Sequence, residues 1–307
     1  MGLQTKIEIF PIAKTQVNRD VVRQWLAHLG VESDVVGAAD EQAVTDPALL
    51  VALAGKTCYN SWEVSDALNP NVTRVRKDWA AYLDNILKSG HGSTLEHSVY
   101  SFALEGVTRV LTAELNRHRA GWAISERSLR YVRFGEVGVK YWEPLFLSSA
   151  ETTELATYKR TLLANDAFSS LKKDLASGFL PLESTEEKLA ASRILLERQF
   201  DDQSEWYALM TKIWEKELAP DSTFHLKKQL TSMFRRGVGM GCSTGGVWTG
   251  NMRALRHVIA LRATPEAEEE ICHVFSRIGK LMVESEPALF GDFEETNNFW
   301  TPKYPKV

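Results

Sequence analysis

The spacing of apolar residues predicts two helices with a strand between them in the first half of the chain. Residues 75–87 have helical periodicity, and the glycine-rich segment 89–92 interrupts it. Residues 99–105 alternate, with aromatic and branched side chains, and predict a strand that ends at Gly106. Apolar residues at helical spacing follow at once: Val107, Val110, Leu111 and Leu115. They predict a helix that leads into Arg117.

The second half of the chain has mostly helical patterns, with one glycine-rich interruption. Residues 151–219 are charged and carry an apolar stripe, and we interpret them as a helical insertion for packing or oligomer contact. A basic helix end follows, and residues 237–246 form a connection rich in glycine. Neither the Rossmann pattern nor the phosphate-loop pattern fits this connection, because a basic helix precedes it and no Gly-Lys-Ser/Thr ends it.

Two further helices are predicted after Trp248. Residues of the first fall on two neighbouring faces: Met252, Leu255, Ile259 and Arg262 on one, and Asn251, Arg253 and His257 on the other. Arg262 ends an otherwise apolar stripe, and a buried arginine needs a partner, which a ligand anion or carbonyl can be. Thr264 as N-cap and Pro265 in the first turn predict the start of the last helix. Its apolar stripe is expected to be core: Ile271, Phe275, Ile278 and Met282.

Composition limits the class of protein. A chain of 307 residues with 44% hydrophobic content can bury a sizeable core, in one large domain or two small ones. The net charge of −4 disfavours a general nucleic-acid surface. There is no apolar run of membrane-spanning length and no signal pattern in residues 1–14. Three cysteines are too few for a disulfide framework or a zinc cluster, so we expect no metal and a cytoplasmic setting.

Positive charge is concentrated in one short segment. Residues 109–133 contain six arginines and neither lysine nor aspartate; they include Arg-His-Arg at 117–119 and the pair Arg127 and Arg130 around Ser128. Guanidinium groups bind phosphate bidentately, which lysine does not, so a phosphorylated small molecule is the first ligand to consider. The cationic last turn of an amphipathic helix explains an isolated Arg-His-Arg equally well. The second group of arginines favours a ligand.

Three segments of this chain resemble, in the same order, the signature of the flavin-dependent thymidylate synthases. His-Gly-Ser-Thr-Leu-Glu-His at 91–97 is similar to the family's His-x-Ser/Thr-x-x-Glu-His. Arg-His-Arg at 117–119, followed by Glu-Arg-Ser-Leu-Arg-Tyr at 126–131, resembles its Arg-His-Arg and Glu-x-Ser-x-Arg-Tyr. Trp-Thr-Gly-Asn-Met-Arg at 248–253 resembles its Trp-Thr-x-Asn-x-Arg.

The resemblance implies roles for individual residues. One set is implied to bind the nucleotide substrate: Glu114, Leu115, Asn116, Arg117, Glu126, Arg127, Ser128, Leu129, Arg130, Arg235 and Arg262. A second set is implied to bind the flavin: His91, Ser93, Arg117, His118, Arg119, Glu126, Asn251, Met252, Arg253 and His257. Arg262 is implied to be the catalytic residue that polarises the pyrimidine at N3. A fixed cation there stabilises negative charge on the N3-C4-O4 edge, and C5 becomes electron-rich enough to attack.

The resemblance also implies the reaction, the fold and the assembly. The reaction is methylation of dUMP at C5 to dTMP, in which 5,10-methylenetetrahydrofolate supplies the carbon, NADPH reduces FAD, and reduced FAD supplies a hydride. No enzymic nucleophile is required. The implied fold is α+β, with a twisted mixed or antiparallel sheet, long flanking helices and no Rossmann unit, in a single domain of residues 1–307. The implied assembly is a homotetramer with sites between subunits, and neither nucleic acid nor membrane is an expected partner.

Departures from the family pattern leave alternatives open. The gap before the signature serine is one residue longer than in the family, and we place the extra residue in a loop at 120–125. Glu114 stands where a glutamine is common, His257 replaces a frequent asparagine, and both Arg235 and Arg236 fit the position that faces the substrate. The alternative is a flavin-dependent methylase or hydroxymethylase of UMP or dCMP.

Other chemistries are less well supported. Cys242 is the one cysteine that we keep as a candidate nucleophile, and Ser128 has no His-Asp pair nearby to activate it. A nucleic-acid-binding protein would use Trp122 and Tyr131 for stacking, but the segments at 91–97 and 248–253 would then be unexplained. A flavoprotein reductase without methyl transfer would leave Arg262 unexplained.

Overall fold

Two compact units make up the chain. The structure, a computed structural model, describes residues 3–129, 140–142, 173, 177 and 184–307. Unit 1 consists of Met1–Ile7, Gly106–Thr112 and Arg127–Gly245, and unit 2 of Glu8–Glu105, Ala113–Glu126 and Gly246–Val307. The expectation of a single domain stays a prediction. Within the described ranges, the helices are too short or too polar to cross a membrane.

The described elements include helices and strands from both units. The strands are β1 (Leu3–Gln4), β2 (Glu8–Lys14), β3 (Val99–Thr108), β4 (Trp122–Glu126), β5 (Lys140–Tyr141), β6 (Ser243–Asn251), β7 (Phe293–Thr296) and β8 (Phe299–Pro302). The helices are α1 (Arg19–His28), α2 (Val35–Glu41), α3 (Asp46–Tyr59), α4 (Trp79–Lys88), α5 (Gly92–Leu95), α6 (Arg109–Leu115), α7 (Thr185–Ile213), α8 (Glu215–Leu218), α9 (Phe224–Phe234), α10 (Met252–Arg262), α11 (Glu269–Ser285) and α12 (Pro287–Phe290). A short 3₁₀ turn, Arg235–Gly237, follows α9.

The main sheet has the strand order β2-β3-β6-β4. β2 is antiparallel to β3, and β4 is antiparallel to β6 from Trp122 opposite Gly250 to Glu126 opposite Gly246. The hydroxyl groups of Ser101 and Thr249 lie 2.8 Å apart and join β3 to β6. Smaller pairs are formed by β1 with β5, in parallel, and by β7 with β8. The α+β class with an antiparallel sheet is confirmed.

The core of unit 2 contains the two predicted apolar stripes. α10 packs against α11, and Met252, Leu255 and Ile259 are fully buried. The predicted core of α11 is confirmed by burial of its four stripe residues: Ile271, Phe275, Ile278 and Met282. These helices therefore fix the position of Arg262, the last residue of α10.

Unit 1 confirms the helical pattern of residues 151–219 where it is described. Residues 185–213 and 215–218 form α7 and α8, and most of residues 151–183 lie outside the described residues. Tyr207 packs with residues of the next helices: Leu218, Leu230 and Phe234. The interpretation of this segment as a packing or oligomer-contact insertion stays a prediction.

Three predicted boundaries in the first half were wrong. The helix at 75–87 begins at Trp79, because Asp78 caps its first turn by accepting from the amide of Ala81. β3 does not end at Gly106 but continues to Thr108. Gly106 has φ +77°, and a Cβ there would meet the carbonyl of Lys6, so a glycine stays inside the strand. The predicted loop at 120–125 is largely β4, which begins at Trp122.

Three boundaries in the second half were also wrong. Part of the predicted glycine connection, from Ser243, is strand β6, and the helix predicted from Trp248 begins at Met252. A Cβ at Gly246 would meet the carbonyl of Ser125, so glycine allows the close strand pairing there. The helix predicted as the last one, α11, begins at Glu269 rather than at Thr264, and the short helix α12 follows it. The side chain of Glu268 caps it by accepting from the amides of residues 270 and 271.

Candidate functional site

The junction between β6 and α10 places two segments of the family signature side by side. Asn251 ends the strand, and its Oδ1 accepts from the amide of Ala254 at 2.8 Å, which caps the helix. Its own amide donates to the carbonyl of Gly121 at 2.9 Å. The turn after Arg-His-Arg is therefore bonded to the start of α10. On that helix, Arg253 and His257 are exposed.

Arg262 is fixed by two side chains from the segment 114–118. Its Nη1 donates to Oε2 of Glu114 at 2.8 Å, and its Nε donates to Nε2 of His118 at 3.0 Å. The side chains of Arg262 and Glu114 are 22% and 29% exposed, so solvent and ligands can reach both. In the part of the chain that the structure describes, Nη2 of Arg262 has no protein acceptor within hydrogen-bonding distance. The guanidinium is held in place with donors still available.

His118 is a neutral acceptor in this arrangement. Burial lowers its pKa below the ordinary value of 6.5, and the positive charges of Arg262 and, to a smaller extent, Arg117 lower it further, whereas Glu114 acts in the opposite direction. The ring of His257 lies edge-on at 6.1 Å between centroids and also disfavours a second positive charge. Because Nε2 accepts a hydrogen bond, the single ring proton belongs on Nδ1.

A second chain of hydrogen bonds joins Asn116, Glu126 and Trp248. Nδ2 of Asn116 donates to Oε2 of Glu126 at 3.2 Å, and Nε1 of Trp248 donates to Oδ1 of Asn116 at 3.3 Å. Trp248 is fully buried in β6, so it provides a rigid base for the other two. The carboxylate of Glu126, from β4, is thereby held next to Asn116, which directly precedes Arg-His-Arg.

The residues expected to bind the flavin form a more open group. Nη1 of Arg253 lies 2.6 Å from Oε1 of Glu96, and both side chains are about half exposed. The ring of His91 lies 6.0 Å from that of Tyr59, and Ser93 is exposed. Arg117 and Arg119 are exposed as well. The set thus presents several cations at an accessible surface, as an anionic cofactor requires.

Two members of the predicted sets lie inside the protein rather than at its surface. Leu115 and Met252 are fully buried, since each belongs to the apolar face of its helix. A further expected participant, Cys242, is also fully buried, in a cluster with Tyr141 and Phe200. Its thiol is inaccessible, so the structure does not support it as a nucleophile.

The remaining predicted substrate residues belong to unit 1. The amide of Arg127 donates to the carbonyl of Gly245 at 2.8 Å, and its own carbonyl accepts from the guanidinium of Arg109. Ser128 and Leu129 are half-buried. Arg130 lies outside the described residues. Arg235 and Arg236 are both exposed, which leaves the choice between them open.

The sequence reasoning missed Gly92 and Arg256. A Cβ at Gly92 would lie 2.7 Å from Nε of Arg253, so the glycine allows this arginine to cross the turn before α5. The sequence contained one signal for this role, a glycine at the variable second position of the segment 91–97. Arg256 is buried and donates through Nη2 to Oδ2 of Asp292 at 2.8 Å. Its role in fixing α10 cannot be seen in the sequence, because Asp292 belongs to a distant segment.

Comparison with known proteins now decides the family. The family model of thymidylate synthase complementing proteins matches residues 42–288. The flavin-dependent thymidylate synthase of Mycobacterium marinum is 30% identical over 80% of each chain. The chain belongs to the flavin-dependent thymidylate synthase family. The flavin-dependent thymidylate synthase of Mycobacterium bovis is 31% identical over 86% of this chain and 88% of its own. The resemblance inferred from three short segments is thus confirmed.

A solved structure supports the fold of this family member. The UMP/dUMP methylase of Streptomyces cacaoi, bound with 5-bromo-dUMP, is 15% identical over 95% of this chain and 96% of its own, with a TM-score of 0.54. At this identity the likeness concerns the fold alone.

Proposed function

We propose that this flavin-dependent thymidylate synthase family member converts dUMP to dTMP by reductive methylation at C5. Its relatives of 30 to 32% identity carry the name flavin-dependent thymidylate synthase. The observation that carries the proposal furthest is the fixation of Arg262 by Glu114 and His118, with donors left over.

Arg262 would act on the pyrimidine ring. Two of its nitrogens are engaged by protein, so the guanidinium is oriented before the substrate arrives, and Nη2 is available to donate to the N3 or O4 edge. The fixed cation would stabilise the enolate form of the ring, in which N3 and O4 carry negative charge and C5 is electron-rich enough to attack the one-carbon donor. The residue needs no proton transfer for this role, because guanidinium keeps its charge.

Glu114 and His118 would act as positioning residues. Glu114 balances the charge of Arg262, and neutral His118 accepts from Nε, so the plane of the guanidinium is set by bonds on two sides. A protonated His118 would repel Arg262 and lose its acceptor. The low pKa of His118 therefore suits the role.

The residues present also fit an FAD. Exposed cations at Arg117, Arg119 and Arg253 suit its diphosphate, and exposed Ser93 and His257 add hydrogen-bonding groups. The side chains of the ion pair between Arg253 and Glu96 are about half exposed. Such surface pairs are weak, so a phosphate can replace the carboxylate as the partner of Arg253. When bound, the flavin would accept electrons from NADPH and supply the hydride that completes the methyl group. Methylenetetrahydrofolate as carbon donor, a homotetramer and a cytoplasmic location are parts of the same proposal.

A second candidate is methylation or hydroxymethylation of another pyrimidine nucleotide, UMP or dCMP. The observation that favours it is the carboxylate of Glu114, which accepts from Arg262 where an amide is common in the family. A carboxylate can accept hydrogen bonds but cannot donate them, so it changes which sugar or base groups are recognised.

The test uses purified protein and three nucleotides. We expect a yellow protein with flavin absorption that, with NADPH and methylenetetrahydrofolate, converts dUMP to dTMP by mass spectrometry, and that loses this activity in Arg262→Ala. UMP and dCMP are run in parallel, and turnover of either one in place of dUMP would establish the second candidate. A colourless protein that cannot be reconstituted with FAD would overturn the proposal.

A further inference from the structure

The last residues of the chain form a segment, Lys303–Val307, that we name the C-terminal strap. Its first part is bonded to a buried ion pair. The amide of Lys303 donates to the carbonyl of Asp292 at 2.9 Å, and the amide of Tyr304 donates to its Oδ2 at 3.2 Å. Arg256, the partner of Asp292, donates to the carbonyl of Tyr304. The side chains of this ion pair are 4% and 5% exposed, so the anchor is firm.

A second anchor joins the strap to α4. The hydroxyl of Tyr304 donates to Oδ1 of Asp84 at 3.0 Å. With both anchors in place, the strap runs from β8 toward the end of α4 and the turn that follows it.

The end of the strap lies against residues 90–93, which form the turn after α4 and the start of α5. A Cβ at Gly90 would lie 3.3 Å from the carbonyl oxygen of Lys306, and a Cβ at Gly92 would lie 2.9 Å from the carbonyl carbon of Val307. The same Cβ at Gly92 would lie 2.7 Å from Nε of Arg253. Gly92 is thus enclosed by the strap and by Arg253, and the space around it is too small for a methyl group.

We propose that the C-terminal strap is a positioning segment for the flavin cofactor, which it serves by holding Gly92 against the side chain of Arg253. The inference rests on the proposed function, since it takes His91, Ser93 and Arg253 as flavin-binding residues. The strap itself does not touch the reacting atoms in this view. It sets the place of the cation that meets the anionic part of the cofactor.

The physical argument is preorganisation. Arg253 and Glu96 are half exposed, and such an ion pair alone does not fix a long side chain. Packing of the guanidinium against Gly92, with the strap behind that residue, removes part of this freedom before the cofactor binds. Less entropy is then lost on binding, and affinity is higher.

The experiment measures the dissociation constant of FAD in a two-by-two set of variants. Deletion of Lys306 and Val307 removes the end of the strap and leaves its anchors, and Gly92→Ala adds a methyl group where the strap and Arg253 meet. Each change should weaken FAD binding to the apoprotein by about tenfold, the size expected from a small packing error. The double variant should lose much less than the product, because deletion of Val307 gives the added methyl group room. The side chain of Lys306 is exposed, so Lys306→Ala keeps the backbone of the strap and is the matched control, with wild-type affinity.

A readout independent of FAD accompanies the titration. In apoprotein without residues 306 and 307, hydrogen exchange of the amides at 90–93 should be faster, while the urea midpoint stays near that of wild type. If the wild-type protein binds FAD and both single variants bind it with the same affinity, this inference alone is overturned. The same holds if the losses of the two single variants multiply in the double variant. A wild-type protein that takes up no FAD overturns the proposed function and this inference together, and the hydrogen exchange then still reports whether the strap packs on the turn.

Discussion

Arg262 and Glu114 form an ion pair with 2.8 Å between Nη1 and Oε2, and His118 accepts from Nε of the same guanidinium. Arg262→Lys keeps the charge but cannot make both bonds, because an ammonium is a point charge on a flexible stem. We expect kcat/KM for dUMP to fall about 100-fold or more, the size typical for loss of a preorganised charge-stabilising group. Steady-state kinetics with mass-spectrometric detection of dTMP provides the measurement.

Glu114→Gln is the matched comparison for this variant. The amide oxygen still accepts from Nη1, so the loss should be smaller than that of Arg262→Lys. Equal losses in the two variants would mean that Glu114 itself contacts the substrate through its charge.

The pH dependence of dUMP binding should follow the protonation of His118. Burial, and then the charge of Arg262, lowers the pKa of His118 below 6.5 in the folded protein. The stabilising contribution of the neutral form is therefore fully present above pH 6.5. It is lost, together with the acceptor role of the ring, as the pH falls through the lowered pKa of the folded protein. The affinity for dUMP should decrease in this acidic range.

His118→Gln tests that assignment. The glutamine oxygen accepts a hydrogen bond but does not titrate in this range, so the acidic loss of dUMP affinity should flatten. Binding is measured by calorimetry at several pH values. An unchanged acidic limb in the variant would assign the titration to another group.

The parts of the fold that the sequence predicts well are those set by apolar periodicity. Ile271, Phe275 and Ile278 were identified as core because their spacing matches one helix face, and all three are buried. The helix start was misplaced because Thr264 and Pro265 have the typical chemistry of a helix start. In the structure the side chain of Glu268 caps the helix instead, by accepting from two amides of its first turn.

What the sequence could not predict depends on contacts between distant segments. Gly246 is typical of a turn when it is considered alone, yet it belongs to β6 because β4 approaches it closely. The importance of Arg262 was recognised from its place in an apolar stripe and from the family resemblance. Its partners Glu114 and His118 follow from the packing of α10, which no local pattern encodes.

The buried pair of Arg256 and Asp292 should matter more for stability than any surface pair. Asp292→Asn leaves the arginine buried and uncompensated, which costs about 3–5 kcal/mol of unfolding free energy. Urea unfolding followed by tryptophan fluorescence measures it. The control is Asp20→Asn, since the side chain of Asp20 is 86% exposed beside Arg23 and its replacement should cost less than about 1 kcal/mol. Similar costs for the two variants would contradict the assignment of Arg256 as a structural anchor.

Cys242→Ala should leave the reaction intact. The thiol is fully buried beside Tyr141 and Phe200, so it cannot reach a ligand. The loss of its sulfur leaves a small cavity and costs on the order of 1 kcal/mol of stability. Measurement of kcat together with the urea midpoint separates the two effects. Abolished turnover in a variant with a normal urea midpoint would restore the cysteine as a catalytic candidate.

The bond between Ser101 and Thr249 has a consequence for how the chain folds during synthesis. It joins residues 148 positions apart, so one edge of β3 stays without β6 until most of the protein has been made. At ordinary rates of translation this interval is on the order of ten seconds. Throughout that time the nascent chain presents an open strand edge that other strands can pair with. Wrong strand pairing during synthesis is therefore a hazard of this topology.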